Sequence, residues 1–94
     1  MTIVVEEMTL ELLRPIKLED RSIEMVNLRE PTAYEIEQVS KKAESSAQGS
    51  NILLVSLVSG LTVGEVGKMG IRDLNQALKF LQGFIEAGQE TGKP

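Results

Sequence analysis

Hydrophobic and polar residues alternate at the start of the chain. Met8, Leu10 and Leu12 fall on one side, and Thr9, Glu11 and Leu13 on the other. A period of two predicts a half-buried strand over residues 8–14. Pro15 has no amide to give a ladder, so it is expected to end this strand or lie on an edge. Residues 17–22 are polar, with Glu19-Asp20-Arg21 as the expected turn, and residues 23–28 form a second candidate strand. Alternation fails between Met25 and Val26, which predicts a bulge there. Two such strands separated by a short polar turn read as an antiparallel hairpin that needs helices to cover its apolar face.

At Pro31-Thr32 the period changes. Thr32 with Glu35 three residues on is a capping box, and the helix it opens is expected over residues 33–47. Its apolar face is thin (Ile36, Val39, Ala43, Ala47), and Tyr34 points to the opposite, polar side. The cluster Ser45, Ser46, Gln48, Gly49, Ser50, Asn51 reads as a loop, with Ser50 or Asn51 capping the next helix. That helix, residues 52–59, is apolar on nearly every side, including Leu53 and Val58, and Gly60 is placed to end it. Thr62 with Glu65 is a second capping box, opening a short helix over 63–69 that Gly64 and Gly67 weaken before Gly70 breaks it. The last helix is expected over 71–87. Ile71, Leu74, Ala77, Leu78, Leu81, Phe84 and Ile85 form its core stripe, Phe80 stands at the stripe's edge, and Gly88 ends it. The expected fold is α+β: an N-terminal antiparallel β-hairpin followed by three to four packed helices. Residues 1–94 make one domain, with 1–7 and 88–94 loose.

Composition narrows the functional classes. Of 94 residues 41% are hydrophobic, enough for a core. Fourteen acidic against ten basic residues give a net charge of −4, and the basic residues form no block. Phosphate backbones and anionic lipid heads call for the opposite balance, so neither nucleic acid nor membrane is expected as a partner. The longest apolar run, 52–58, is far short of the roughly 20 residues that span a bilayer. Residues 1–7 carry two glutamates and no basic residue, so no secretory leader is expected and the cytoplasm is the expected compartment. The chain has no cysteine and no histidine, which removes thiol and imidazole chemistry together. The acidic pairs Glu6-Glu7 and Glu19-Asp20 are neighbours and do not converge on one atom, and no calcium-loop spacing is present. Gly60, Gly64, Gly67 and Gly70 lack the lysine–serine/threonine ending of a phosphate loop. No catalytic, cofactor or metal residues are therefore assigned, and an enzyme is not expected.

Several features stand in a fixed order. Two strands come first, one ending in Arg14-Pro15-Ile16 and the other running into Leu28-Arg29-Glu30-Pro31-Thr32. A helix, a polar loop and an apolar helix closing on Gly60-Leu61 follow. Thr62-Val63-Gly64-Glu65-Val66 and then Ile71-Arg72-Asp73-Leu74 open the last two helices. Over residues 10–85 this order resembles the phage tail assembly chaperones of Mu-like and P2-like contractile-tailed phages. The Leu-Arg-Glu-Pro-Thr junction is its most specific element. The central loop is short for that pattern. The resemblance implies a non-catalytic chaperone that binds the tape-measure protein, the helical rod setting tail length, until tail-tube subunits assemble around it.

The candidate partner contacts are Tyr34, Leu53, Val58, Phe80 and Phe84. Residues 52–58 read first as core and second as a client surface, Phe84 reads as core, and Phe80 shares its face with Gln76, Gly83 and Ala87. Leu28, Arg29, Glu30, Pro31 and Thr32 are expected to form a structural junction, with Glu30 supporting the helix start and Arg29 paired to a nearby carboxylate. Surplus apolar helix surface also suits a homo-oligomer. The competing reading is a small DNA-binding regulator, because residues 61–80 place a short helix, a glycine and a long helix in the order of a helix-turn-helix.

Overall fold

In a computed structural model, which describes residues 7–91 and the side chains as far as residue 85, the alternating segments pair as an antiparallel hairpin. The elements are β1 (Glu7–Lys17), β2 (Ser22–Arg29), α1 (Ala33–Ala43), α2 (Ala47–Ser59), α3 (Val63–Val66) and α4 (Ile71–Thr91). The expected α+β hairpin-and-helices fold is the observed one. Within the hairpin turn, the Leu18 N–H donates to the Arg21 carbonyl at 2.8 Å.

β1 does not stop at Pro15. The register passes from Glu11↔Met25 to Ile16↔Ile23, so Leu12, Leu13, Arg14 and Pro15 all stand opposite Glu24. The bulge therefore lies on β1, across from the break in alternation that placed it on β2. Pro15 is tolerated because regular pairing is already suspended around it. Ile23 and Val26 both face inward despite their odd spacing, because the irregular partner strand lets β2 twist between them.

The inner face of the hairpin (Leu12, Ile16, Ile23, Val26, Leu28) packs on Leu54, Val55 and Val58 of α2, Val66 of α3, and Leu74, Ala77 and Leu81 of α4. Each of the larger aliphatic side chains in this cluster contributes about 2 kcal/mol by leaving water. α2 is central, packing against β2, α1, α3 and α4. Its near-uniform apolarity is thus explained by neighbours on several sides. α1 lies on α2 and has no fully buried residue; Ile36 and Val39 supply its contact with the core.

Four helix boundaries differ from expectation. α1 ends at Ala43 rather than 47, and α2 begins at Ala47 rather than 52. The extended backbone of Ser46 lets its Oγ accept the Gly49 N–H at 2.8 Å, so the polar cluster is the first turn of a helix, not a loop. Ser50 turns inward, and its hydroxyl donates to the Ala47 carbonyl at 2.6 Å. α3 is one turn, followed by a turn through Gly67. α4 continues past Gly88 to Thr91, since a helical glycine costs only about 1 kcal/mol relative to alanine. The loose segments expected at 1–6 and 92–94 lie outside the described residues, whereas Glu7 belongs to β1 and residues 88–91 to α4.

Gly60 does end α2, at φ 80°, a left-handed conformation that glycine adopts without Cβ strain. The cap at Ser46 is open to test. Ser46→Ala should lower stability by about 1 kcal/mol in urea unfolding and speed amide exchange at Gln48 and Gly49. Asn51→Ala, in contrast, should change stability by less than about 0.5 kcal/mol. The reverse ranking would return the cap to the residues just before 52.

Candidate partner-binding surface

The junction expected from the sequence is a rivet. Glu35 closes the capping box: its Oε1 accepts the Thr32 N–H at 2.9 Å while Thr32 Oγ1 accepts the Glu35 N–H at 3.1 Å. The same carboxylate takes both arms of Arg29, at 2.9 and 2.7 Å. Arg29 also donates to the carbonyls of Leu57 at 3.0 Å and Glu30 at 3.1 Å. One guanidinium thus joins the end of β2, the start of α1 and the last turn of α2. The Arg29 hydrogen bonds, followed by the Thr32 amide, hold the Glu35 carboxyl down to about 2 against an opposing desolvation. The same pairing raises Arg29. Leu28 is buried beneath the rivet, Glu30 is exposed beside the helix start, and Pro31 bridges strand to helix. The carboxylate expected for Arg29 is Glu35.

The second capping box repeats the arrangement at the other end of β2. Glu65 Oε1 accepts the Thr62 N–H at 3.0 Å, and its Oε2 accepts from Arg21 at 2.8 Å. The Thr62 amide first, and Arg21 after it, lower the Glu65 carboxyl. Each glutamate therefore performs a local task, capping its own helix, and a long-range one, holding an arginine that flanks β2.

Sequence reasoning missed a third carboxylate. Asp73, 1% exposed, accepts the Leu13 N–H at 2.9 Å and the Arg14 N–H at 3.0 Å. These are amides of the β1 bulge, whose ladder partners are gone. A signal existed: Asp73 stands four residues before Ala77 and eight before Leu81, on the buried stripe of α4, where an acid requires a partner. Among the described residues no buried side-chain polar atom lacks a hydrogen bond.

The structure separates the five candidate contact residues. Val58 is 4% exposed and packs in the core with the inner face of the hairpin, so it is a core residue rather than a surface one. Leu53 is half-buried on α2. Tyr34 is 67% exposed on the first turn of α1. Phe80 and Phe84 are half-buried and meet edge to face, with centroids 5.2 Å apart. That arrangement is the favoured one for two aromatic quadrupoles.

Besides Tyr34, four large apolar side chains not chosen from sequence are exposed: Leu13, Met25, Val63 and Ile71. Ile71, expected as the first residue of the α4 core stripe, is 59% exposed because Asp73 turns the start of that helix toward the bulge with its carboxylate inward. Leu13 had a legible signal, since Leu12 and Leu13 are adjacent in a strand and cannot share a face.

The helix-turn-helix expectation over 61–80 is not met. α3 is a single four-residue turn, and Asp73 anchors the head of the supposed reading helix to the hairpin. Among the described residues, no three acidic side chains gather as metal ligands, and no helix is long and apolar enough to cross a membrane.

Comparison with known proteins completes the picture. Residues 9–86, most of the chain, match a family model described as phage tail assembly chaperone proteins, E, or 41 or 14. No curated protein and no solved structure matches. The chain belongs to the phage tail assembly chaperone family.

Proposed function

We propose that this tail assembly chaperone binds the tape-measure protein, keeping it soluble until tail-tube subunits enclose it, and that it performs no catalysis. One observation carries the reading: a member of this family exposes large apolar side chains on hairpin and helices alike, among them Leu13, Met25, Tyr34 and Ile71. A long apolar-seamed rod is kept from self-association by a small partner that covers its seam and presents charge outward. With a net charge of −4, a coat of such chains repels its neighbours in solution. Tyr34, Leu53, Phe80 and Phe84 are assigned to client contact, and the host cytoplasm is the compartment of action. Self-association through the same apolar surface competes with the client.

Co-expression tests the reading. With this chain present, the soluble fraction of the tape-measure protein from the same tail gene cluster should rise by about tenfold, and the two should co-purify. Unchanged solubility and no co-purification would defeat the proposal.

A further inference from the structure

Arg14 and Arg72 differ from the two arginines that flank β2. Arg21 and Arg29 are each held by a capping-box glutamate, whereas neither Arg14 nor Arg72 has an ion-pair partner among the described residues. Glu24, the residue opposite the bulge, pairs with neither. Both arginines line one cleft of about 140 Å³ together with Leu13, 67% exposed, and Ile71, 59% exposed. The cleft is too small for a cofactor, since such sites run to roughly 300 Å³ or more.

The surface is held rigid from beneath. Asp73 fixes the Leu13 and Arg14 amides, and the Arg14 stem crosses Gly70, where an added Cβ would stand 3.5 Å from the Arg14 Cβ and Cδ. A pinned bulge that drives one aliphatic and one guanidinium outward, beside a helix start doing the same, is preorganised for contact.

We infer that this surface docks an acidic amphipathic helix of the client, one whose leucine- or isoleucine-type side chains are flanked at three- and four-residue spacing by carboxylates. Two unpaired guanidiniums beside two exposed aliphatics complement that pattern, and the net charge of −4 on the whole chain disfavours a phosphate backbone as the alternative anion. Guanidinium forks favour carboxylates in two-point contact. The inference rests on the tape-measure reading and adds the surface and the chemistry of the segment it takes.

The test is pull-down of tape-measure protein at physiological salt by the full chain. Arg14→Glu with Arg72→Glu should reduce recovered client by about tenfold. Lys41→Glu with Lys42→Glu, an equal change in net charge on α1, should reduce it by less than about twofold. A photo-crosslinking residue at Leu13 in an otherwise wild-type chain should mark client segments rich in Asp and Glu, which keeps the test open if the arginine variant fails to fold. Capture by the folded arginine variant equal to wild type, or crosslinks confined to segments without acids, would overturn the surface while leaving the chaperone reading intact. No capture by the wild-type chain would overturn both. Salt-sensitive binding of duplex DNA, abolished by the arginine changes while client capture persists, would assign the arginines to nucleic acid and also overturn it.

Discussion

Asp73→Ala should cost about 3 kcal/mol of folding stability, out of a total of roughly 5–10 kcal/mol for a domain this small. The carboxylate accepts two amides, from Leu13 and Arg14, at 2.9 and 3.0 Å. Hydrogen bonds to a charged group are worth about 1.5 kcal/mol or more each, and the donors left behind lie in a bulge with no ladder partner to replace it. Alanine removes both acceptors. Asp73→Asn keeps one oxygen but turns an amide donor toward the other N–H, so about 2 kcal/mol should be lost. Urea unfolding followed by far-ultraviolet circular dichroism measures both. The bulge amides should exchange with solvent faster in the alanine variant, ahead of the rest of β1. A loss below about 0.5 kcal/mol would mean the bulge holds its shape without α4.

Arg29→Met should cost about 2 kcal/mol near neutral pH and should alter the acid limb of the stability curve. The Glu35 carboxyl lies at about 2 in the folded chain against an ordinary 4.5, with the Arg29 hydrogen bonds as the largest cause. A carboxyl depressed by folding stabilises fully above its unfolded value, and that stability drains away as pH falls from about 4.5 toward 2. Each pKa unit corresponds to 1.36 kcal/mol, but the Arg29 side chain is 42% exposed and water screens the pair, so about 2 kcal/mol is expected rather than the full conversion. Methionine preserves the stem packing and removes the fork. In the variant, the fall in stability between pH 5 and pH 2 should shrink, leaving the smaller part due to the Thr32 amide. Urea midpoints across that range measure it, and parallel curves for variant and wild type would show that Arg29 does not set the Glu35 proton affinity.

Both predictions concern long-range contacts, and the sequence bears on them unequally. For Arg29 it foretold a carboxylate partner, because an arginine one residue before Glu30-Pro31-Thr32 sits where a helix start gathers acids. For Asp73 it held only an unread signal, an acid at helical spacing from Ala77 and Leu81, and nothing that names what the carboxylate meets. The bulge was sought on β2, where alternation visibly failed, because a strand's own pattern records which residues face inward but not which strand carries the surplus. The first turn of α2 read as a loop because its residues are small and polar. Ser46 nevertheless caps it, and the core accepts Ser50 once the hydroxyl is bonded to its own helix.

What the sequence determined by itself was decided within about four residues, although not every such contact was legible, as the Ser46 cap shows. Both capping boxes, the left-handed Gly60 and the hairpin-then-helices order depend on neighbours along the chain, so they could be read without coordinates. The tertiary structure alone decided that Ile71 is exposed while Val58 is enclosed, and that a carboxylate about sixty residues away completes the bulge. The reason is physical: an amide that loses its strand partner must find another acceptor, and which acceptor is near depends on how the helices pack, not on what stands beside it in the chain.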